Sequence, residues 1–453
     1  MGPVKSATRT ISQQAFDEMV QENIDDLGMD PAEALDDAIQ TLTLQGVDLS
    51  GIVTCVPGES NPVMECLGKL KEEKAFPKIV ELLDELSALC TDKGSGNEAI
   101  ATKNGAVELV LSICLKLRDE HDRGLASGLN TMASVLLHDL QSSEIFKENG
   151  GPKIVVDILS NERENVKILD GCFSVVAAAA TGNEVLKQSF MELKIDELIV
   201  QILKEHNGGS IPSIYDAIRV MLSSDDNRVV ASQVFGYARK FAKLGIAEVL
   251  VDSLREGLSS PHLISASVAL KAVAVNDEIC RSIAYNGGID VILHCIDDSG
   301  LLGNDAVARA CCSLLSKLAG SDVNKSTIVE KGGMDRLINL SARFSDDHLV
   351  LQEVMSIICT LCLRSPENAA RAIEAGAGDI AIQAMQKFPQ ADQLQRNSCF
   401  MIRNLVVRNP ENRKLLLGNG IEELIRKAKQ RHKSCKDAAT DALRDLGVDN
   451  YNS

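Results

Sequence analysis

Apolar residues recur along this chain at helical spacing, in blocks separated by short polar breaks, and the blocks repeat. The clearest is Cys399–Ile425, CFMIRNLVVRNPENRKLLLGNGIEELI. It reads as an apolar helix, a polar break at Asn409-Pro410-Glu411-Asn412, and a short leucine-rich helix stopped at Gly418-Asn419-Gly420. A second amphipathic helix starts at Ile421. Related strings stand around Gly376, Gly333 and Gly288, and fainter ones are NEAIATKNGAVELV, SSEIFKENGGPKIV, NEVLKQSFMELKIDELI and FAKLGIAEVL. Aligning the residue before the second helix gives Ala106, Gly151, Lys194, Gly245, Gly288, Gly333, Gly376 and Gly420, in steps of 45, 43, 51, 43, 45, 43 and 44. A helical period of about 40–47 residues marks an array of stacked helical bricks, each burying its apolar face against its neighbours.

The pattern divides the chain. Residues 1–9 are small and polar and are expected to be disordered. Residues 10–53 form a helical pair outside the repeat register: Ile11, Phe16, Met19, Val20 and Ile24 line the first helix. Asp30-Pro31-Ala32-Glu33 starts the second, with an N-cap and a proline at the first helical position. This pair either caps the first repeat or is an arm that docks a partner through its apolar face. Residues 54–62 read as a linker, 63–447 as the array of about eight units, and 448–453 as a tail. Phe76–Cys90 is the long third helix of a partial first unit.

One interval is irregular. Leu405 to Ile421, Leu318 to Met334 and Val273 to Ile289 each span 16 residues, but Met221 to Ile246 spans 25. The surplus falls in Ser223–Gly245, which gathers Phe235, Tyr237 and Phe241. It is either a tolerated surface loop or a binding loop whose contacts are Asp225, Asp226, Arg228, Phe235 and Tyr237. Asp225-Asp226-Asn227 lacks the Gly and the terminal Glu of a calcium loop.

Composition narrows the function. Aromatic residues are 3% of the chain and Trp is absent, so the core packs from Leu, Ile, Val and Ala. A net charge of −17 disfavours binding to nucleic acid or anionic lipid without a local basic stripe. No apolar run approaches the roughly 20 residues that span a bilayer, and Met1-Gly2-Pro3-Val4-Lys5-Ser6 matches an acylation signal poorly. The thirteen cysteines, including Cys359, Cys362 and the Cys311-Cys312 pair, read as reduced thiols packed as small hydrophobes. The expected setting is the cytoplasm, the nucleus or both.

A three-part brick with a short first helix and the N…GG-[IVM]-x-x-[LIV] junction resembles armadillo repeats. The resemblance implies an all-α fold, a right-handed armadillo-repeat α-solenoid carrying an N-terminal helical pair. AFDEMVQENIDDLGMDPAEAL, QGVDLSGIV and the closing ALRDLG are similar to the armadillo repeat-containing protein 6 family. The armadillo resemblance implies a concave groove lined by third helices, in which ladders of Asn and Trp grip extended peptides.

In this sequence only Asn404 meets the Asn position; Thr360, Lys317, Ala272 and Val220 replace it elsewhere. That disfavours a nuclear transport adaptor. The adjoining position holds Arg403, Lys271 and Arg219. The groove candidates are therefore Arg219, Lys271, Lys317, Thr360, Arg403 and Asn404, a basic stripe suited to acidic or phosphorylated peptides. The seven His are scattered, and no zinc, Walker or dinucleotide motif appears. The expectation is a monomeric, non-enzymatic scaffold for other proteins, without cofactor, metal, nucleic acid or membrane. A chaperone-linked regulator is the alternative.

Overall fold

The computed structural model describes residues 9–92, 94–118, 121–137, 139–206, 210–226 and 232–452. The chain divides into two compact units, Met1–Leu198 with Ser224–Val230, and Ile199–Ser223 with Ala231–Ser453. Both are helical. The sole sheet among the described residues is a two-residue parallel pairing of β1 (Arg9–Thr10) with β2 (Val47–Asp48). Arg9 thus lies in a strand, while residues 1–8 of the expected disordered start lie outside the described residues.

The first unit opens with α1 (Gln13–Asp25) and α2 (Pro31–Leu44). Ser12 and Asp30 cap them by accepting from the backbone N–H of Ala15 and Ala32. Phe16, Val20, Leu35, Leu42 and Ile52 form a core belonging to this pair, flanked by Ile11, Met19 and Val47. The apolar face is thereby consumed within the module. A loop fixes it to the next helices: Lys103 Nζ donates to Ser50 O at 2.7 Å, and a Cβ on Gly51 would stand 3.0 Å from Ala99 O.

Next come α3 (Pro62–Glu72) and α4 (Phe76–Thr91), and then triplets of short first, amphipathic second and long third helices. These are α5 (Asn97–Lys103), α6 (Ala106–Leu117) and α7 (Asp122–Leu136), followed by α8 (Leu140–Glu148), α9 (Gly151–Asn161) and α10 (Val166–Ala180). The first helix of the next triplet is α11 (Glu184–Glu192), and its second is α12 (Ile195–Glu205). The second unit holds α13 (Ser213–Met221), then α14 (Ser232–Lys243), α15 (Ile246–Leu254) and α16 (Leu263–Val273). After these come α17 (Asp277–Tyr285), α18 (Gly288–Leu302) and α19 (Asp305–Leu318), then α20 (Asp322–Glu330), α21 (Gly333–Arg343) and α22 (His348–Cys362). The last are α23 (Pro366–Glu374), α24 (Ala377–Lys387) and α25 (Asp392–Val406), and α26 (Pro410–Gly418), α27 (Ile421–Arg431) and α28 (Lys436–Leu446).

The turn between first and second helices explains the recurring glycines. Gly105, Gly150, Gly245, Gly287, Gly332, Gly376 and Gly420 all have φ between +73° and +105°. The left-handed residue is one position before Ala106, Gly151, Gly288 and Gly333, which are the first residues of their second helices. In these Gly-Gly pairs the two glycines differ in role. A Cβ on Gly288 would meet Ile283 O at 2.8 Å, and one on Gly333 would meet Ile328 O at 2.7 Å. The first glycine supplies the left-handed turn, and the second lets the following helix approach closely. Lys194 occupies the same turn with φ 62°, an uncommon conformation for a residue with a side chain. Lys194→Gly is expected to stabilise the protein by about 0.5–1 kcal/mol, read by urea denaturation.

Polar groups join neighbouring bricks where the third helix leaves its last carbonyls unpaired. Near the start of a first helix, Asn324 donates to Leu318 O at 3.1 Å and to Cys280 O at 2.9 Å. Asn412 does the same to Leu405 O at 2.8 Å and Ala369 O at 3.1 Å. At the fourth position of a first helix stands a cation. Lys325 Nζ reaches Leu363 O at 3.0 Å, just past α22, and Arg413 Nη1 lies beside Gly447, past α28. Lys187 of α11 is the same device with carboxylate partners. Its fully buried ammonium pairs with Glu184 at 2.9 Å and with Asp225.

Candidate functional site

The third helices of the second unit carry every groove candidate. Their outward faces are built from small polar residues that bond from helix to helix. Lys271 Nζ of α16 donates to Ser313 Oγ of α19 at 2.7 Å. Ser316 of α19 lies 3.4 Å from the hydroxyls of Ser356 and Thr360 on α22. Asn397 and Asn404 of α25 donate to Gln352 O and Cys359 O of α22, each at 2.9 Å. The result is an uncharged floor whose hydrogen bonds are largely made internally.

The six candidates therefore differ. Arg219 is paired with Asp216 at 3.1 Å, on its own helix. Arg403 is held at 3.2 Å by both Asp441 and Asp445 of α28, so its charge is neutralised within the fold. The Asn404 amide N–H is spent on Cys359 O and, at 3.1 Å, on Cys359 Sγ. Thr360 donates to Ser356 O at 3.0 Å. Lys271 and Lys317 are exposed and form no ion pair among the described residues. Arg403→Ala is expected to cost about 1 kcal/mol, and a double-mutant cycle with Asp445→Ala should show coupling.

Sequence reasoning missed a further set one turn earlier on the same helices. Ile264 and Val268 of α16 are 38% and 37% exposed, and the Arg396 guanidinium sits 5.3 Å from the Phe400 ring centroid on α25. Stepping back three or four positions from Lys271 and Arg403 would have reached Val268 and Phe400. Cys359 faces the same floor, but burial pushes its thiol up to about 11, against the opposing effects of Asn404 and Arg403. The upward shift disfavours the thiolate, the nucleophilic form of the side chain.

The irregular interval has a structural role. Its aromatic stretch is α14, the first helix of its triplet, whose Val234, Tyr237, Ala238 and Phe241 are buried while Phe235 is 46% exposed. Asp225 pairs with Lys187, and Asp226 accepts from the Glu184 backbone N–H at 3.1 Å. Both carboxylates therefore serve the start of α11. Arg228 lies outside the described residues. All thirteen cysteines are free, and all but Cys55 and Cys359 are buried.

A family model described as ARMC6 matches residues 63–451, and the armadillo repeat-containing protein 6 N-terminal domain matches residues 8–75. The chain belongs to the armadillo repeat-containing protein 6 family. Armadillo repeat-containing protein 6 of Homo sapiens is 28% identical over 391 residues, covering 81% of this chain and 76% of that one. The Drosophila melanogaster homolog is 26% identical over 385 residues, with 81% and 80% covered. Among solved structures, one titled for a phosphorylation switch in the interaction between cadherin and beta-catenin has a TM-score of 0.58 at 14% identity. It covers 95% of this chain and 80% of its own. An engineered protein has a TM-score of 0.54 at 16% identity, with 86% of this chain and all of its own covered. These structures share the armadillo fold.

Within this family chain, no group of three His, Cys, Asp or Glu among the described residues is placed to hold a metal ion. No described helix is long and apolar enough to cross a membrane.

Proposed function

We propose that this protein is a non-enzymatic interaction scaffold that holds an extended, acidic segment of a partner protein along the third helices of its second unit. The observation that carries the reading is the charge left over on α16–α25. Arg219 and Arg403 are paired with carboxylates of the fold, whereas Lys271, Lys317 and Arg396 carry no ion pair among the described residues and flank an uncharged floor. Ammonium and guanidinium groups so placed suit carboxylate or phosphate. The exposed Ile264 and Val268 add apolar contact at one end. The solved neighbour whose title concerns cadherin and beta-catenin gives this fold in a protein–protein interaction.

The paired variant Lys271→Glu and Lys317→Glu tests the reading. Partner capture by the full chain should fall at least tenfold, with the melting temperature unchanged. Capture undiminished by this pair would contradict it.

A further inference from the structure

We propose a second docking surface, on the outer face of the first helix α14, that takes an acidic segment of a partner protein, carrying an aromatic residue, on Phe235, Arg239, Lys240 and Lys243. It lies on a different helix layer from the third-helix face and does not rest on that reading.

The first observation is that these cations are unpaired. Arg239, Lys240 and Lys243 are exposed and form no ion pair or side-chain hydrogen bond among the described residues. From Asn227 to Ala247 there is no Asp or Glu, in a chain of net charge −17. Arg239 and Lys243 are one helical turn apart, as are Lys240 and Lys243, so like charges share a face and repel. A carboxylate laid across them relieves that repulsion and accepts charge-assisted hydrogen bonds.

The second observation is the register. Counted back from the left-handed glycines Gly245, Gly287 and Gly420, Arg239 of α14 matches Arg281 of α17 and Lys414 of α26. Arg281 is held by Asp277 at 2.9 Å and Lys414 by Glu411 at 3.1 Å, each within its own helix. The residue of α14 that matches Asp277 is Phe235, since α14 has 12 residues where α17 has 9 and begins a turn earlier. The first turns of α17, α20, α23 and α26 carry an acidic residue, as the helix dipole favours, and that of α14 carries none. An aromatic ring thus stands where the intrahelical partner would be.

Third, the face has an apolar foothold. Phe235 is exposed, while Val234, Ala238 and Phe241 of the same helix are buried. A Cβ at Gly236 would meet nothing within 4 Å, so there is room beside the Phe235 ring for a partner's side chain. An aromatic residue suits that place, because ring pairs gain beyond their buried area. Helix α15 packs against both α14 and α17, and Glu248, Asp277 and Glu278 of these neighbours are exposed. A membrane or a long polyanion would meet those carboxylates together with the cations, whereas a short protein segment meets α14 alone.

The experiment uses the full chain and a fluorescein-labelled peptide of repeating Glu-Gly-Phe, read by anisotropy at low ionic strength. It is run in a Lys271→Glu, Lys317→Glu background, which separates it from the third-helix reading. Arg239→Glu with Lys243→Glu should weaken binding at least tenfold, and Lys240→Gln severalfold, at unchanged melting temperature. Phe235→Ala should weaken binding severalfold for this peptide and leave the affinity for a Glu-Gly peptide unaltered. Absence of binding, indifference to the α14 variants, or equal affinity for phosphatidylserine vesicles or a charge-matched oligonucleotide would overturn the proposal.

Discussion

Replacing Lys187 with Met is expected to destabilise the first unit by about 3–5 kcal/mol, the usual cost of removing one partner from a buried ion pair. The Lys187 side chain is wholly inaccessible and the Glu184 side chain is only 6% exposed, so neither charge can turn to water. Met matches the length of the Lys stem and isolates the loss of charge. It leaves the Glu184 and Asp225 carboxylates facing each other without their ammonium, and Glu184 Oε2 already lacks a hydrogen-bond partner among the described residues. The cost should therefore fall on the start of α11 and on the 224–226 segment. Hydrogen exchange of the α11 amides, alongside urea denaturation, would show the loss is local, since repeat arrays can open in part. Lys187→Met combined with Glu184→Gln and Asp225→Asn should recover more than half of it. An unrecovered triple variant would mean that the stem's packing dominates.

Gly333→Ala should cost about 2–3 kcal/mol, whereas Gly332→Asn should cost less than about 1 kcal/mol. The adjacent glycines separate two physical demands. Gly332 has φ +73° and open space around it, so a side chain that tolerates the left-handed region is accommodated. Gly333 is an ordinary helical residue, but its Cβ would stand 2.6 Å from Ile328 Cγ2 and 2.7 Å from Ile328 O. A carbonyl of the preceding helix cannot swing aside as a side-chain tip can. Thermal denaturation of both variants checks the contrast, and equal losses would contradict it.

The brick was legible in the sequence because its turn chemistry is local. The Gly junctions, the Asn-rich starts of the first helices and the apolar stripes each follow from backbone geometry within one turn. The N-terminal capping signals at Ser12 and Asp30 were legible for the same reason. Side-chain partnership was not, because it depends on contacts 38 to 42 residues apart. Nothing near Arg403 in sequence announces Asp441 and Asp445, and nothing near Lys187 announces Asp225. The aromatic cluster at 235–241 illustrates a different limit. A first helix lengthened to Ser232–Lys243 changes the spacing as an inserted loop would, and spacing alone does not tell the two apart. That the six candidate positions fall on third helices was readable, but which of them pair with a carboxylate required the neighbouring helix.

The most direct test of the scaffold account places a photo-crosslinking side chain at Ser316 or Thr360 on the third-helix floor, and at Lys414 on the first helix α26 as a control. A partner protein is expected to be crosslinked from Ser316 and Thr360, and the adduct to vanish when Lys271→Glu and Lys317→Glu are added. Adducts confined to Lys414, or adducts at Ser316 and Thr360 that survive the charge reversal, would contradict it.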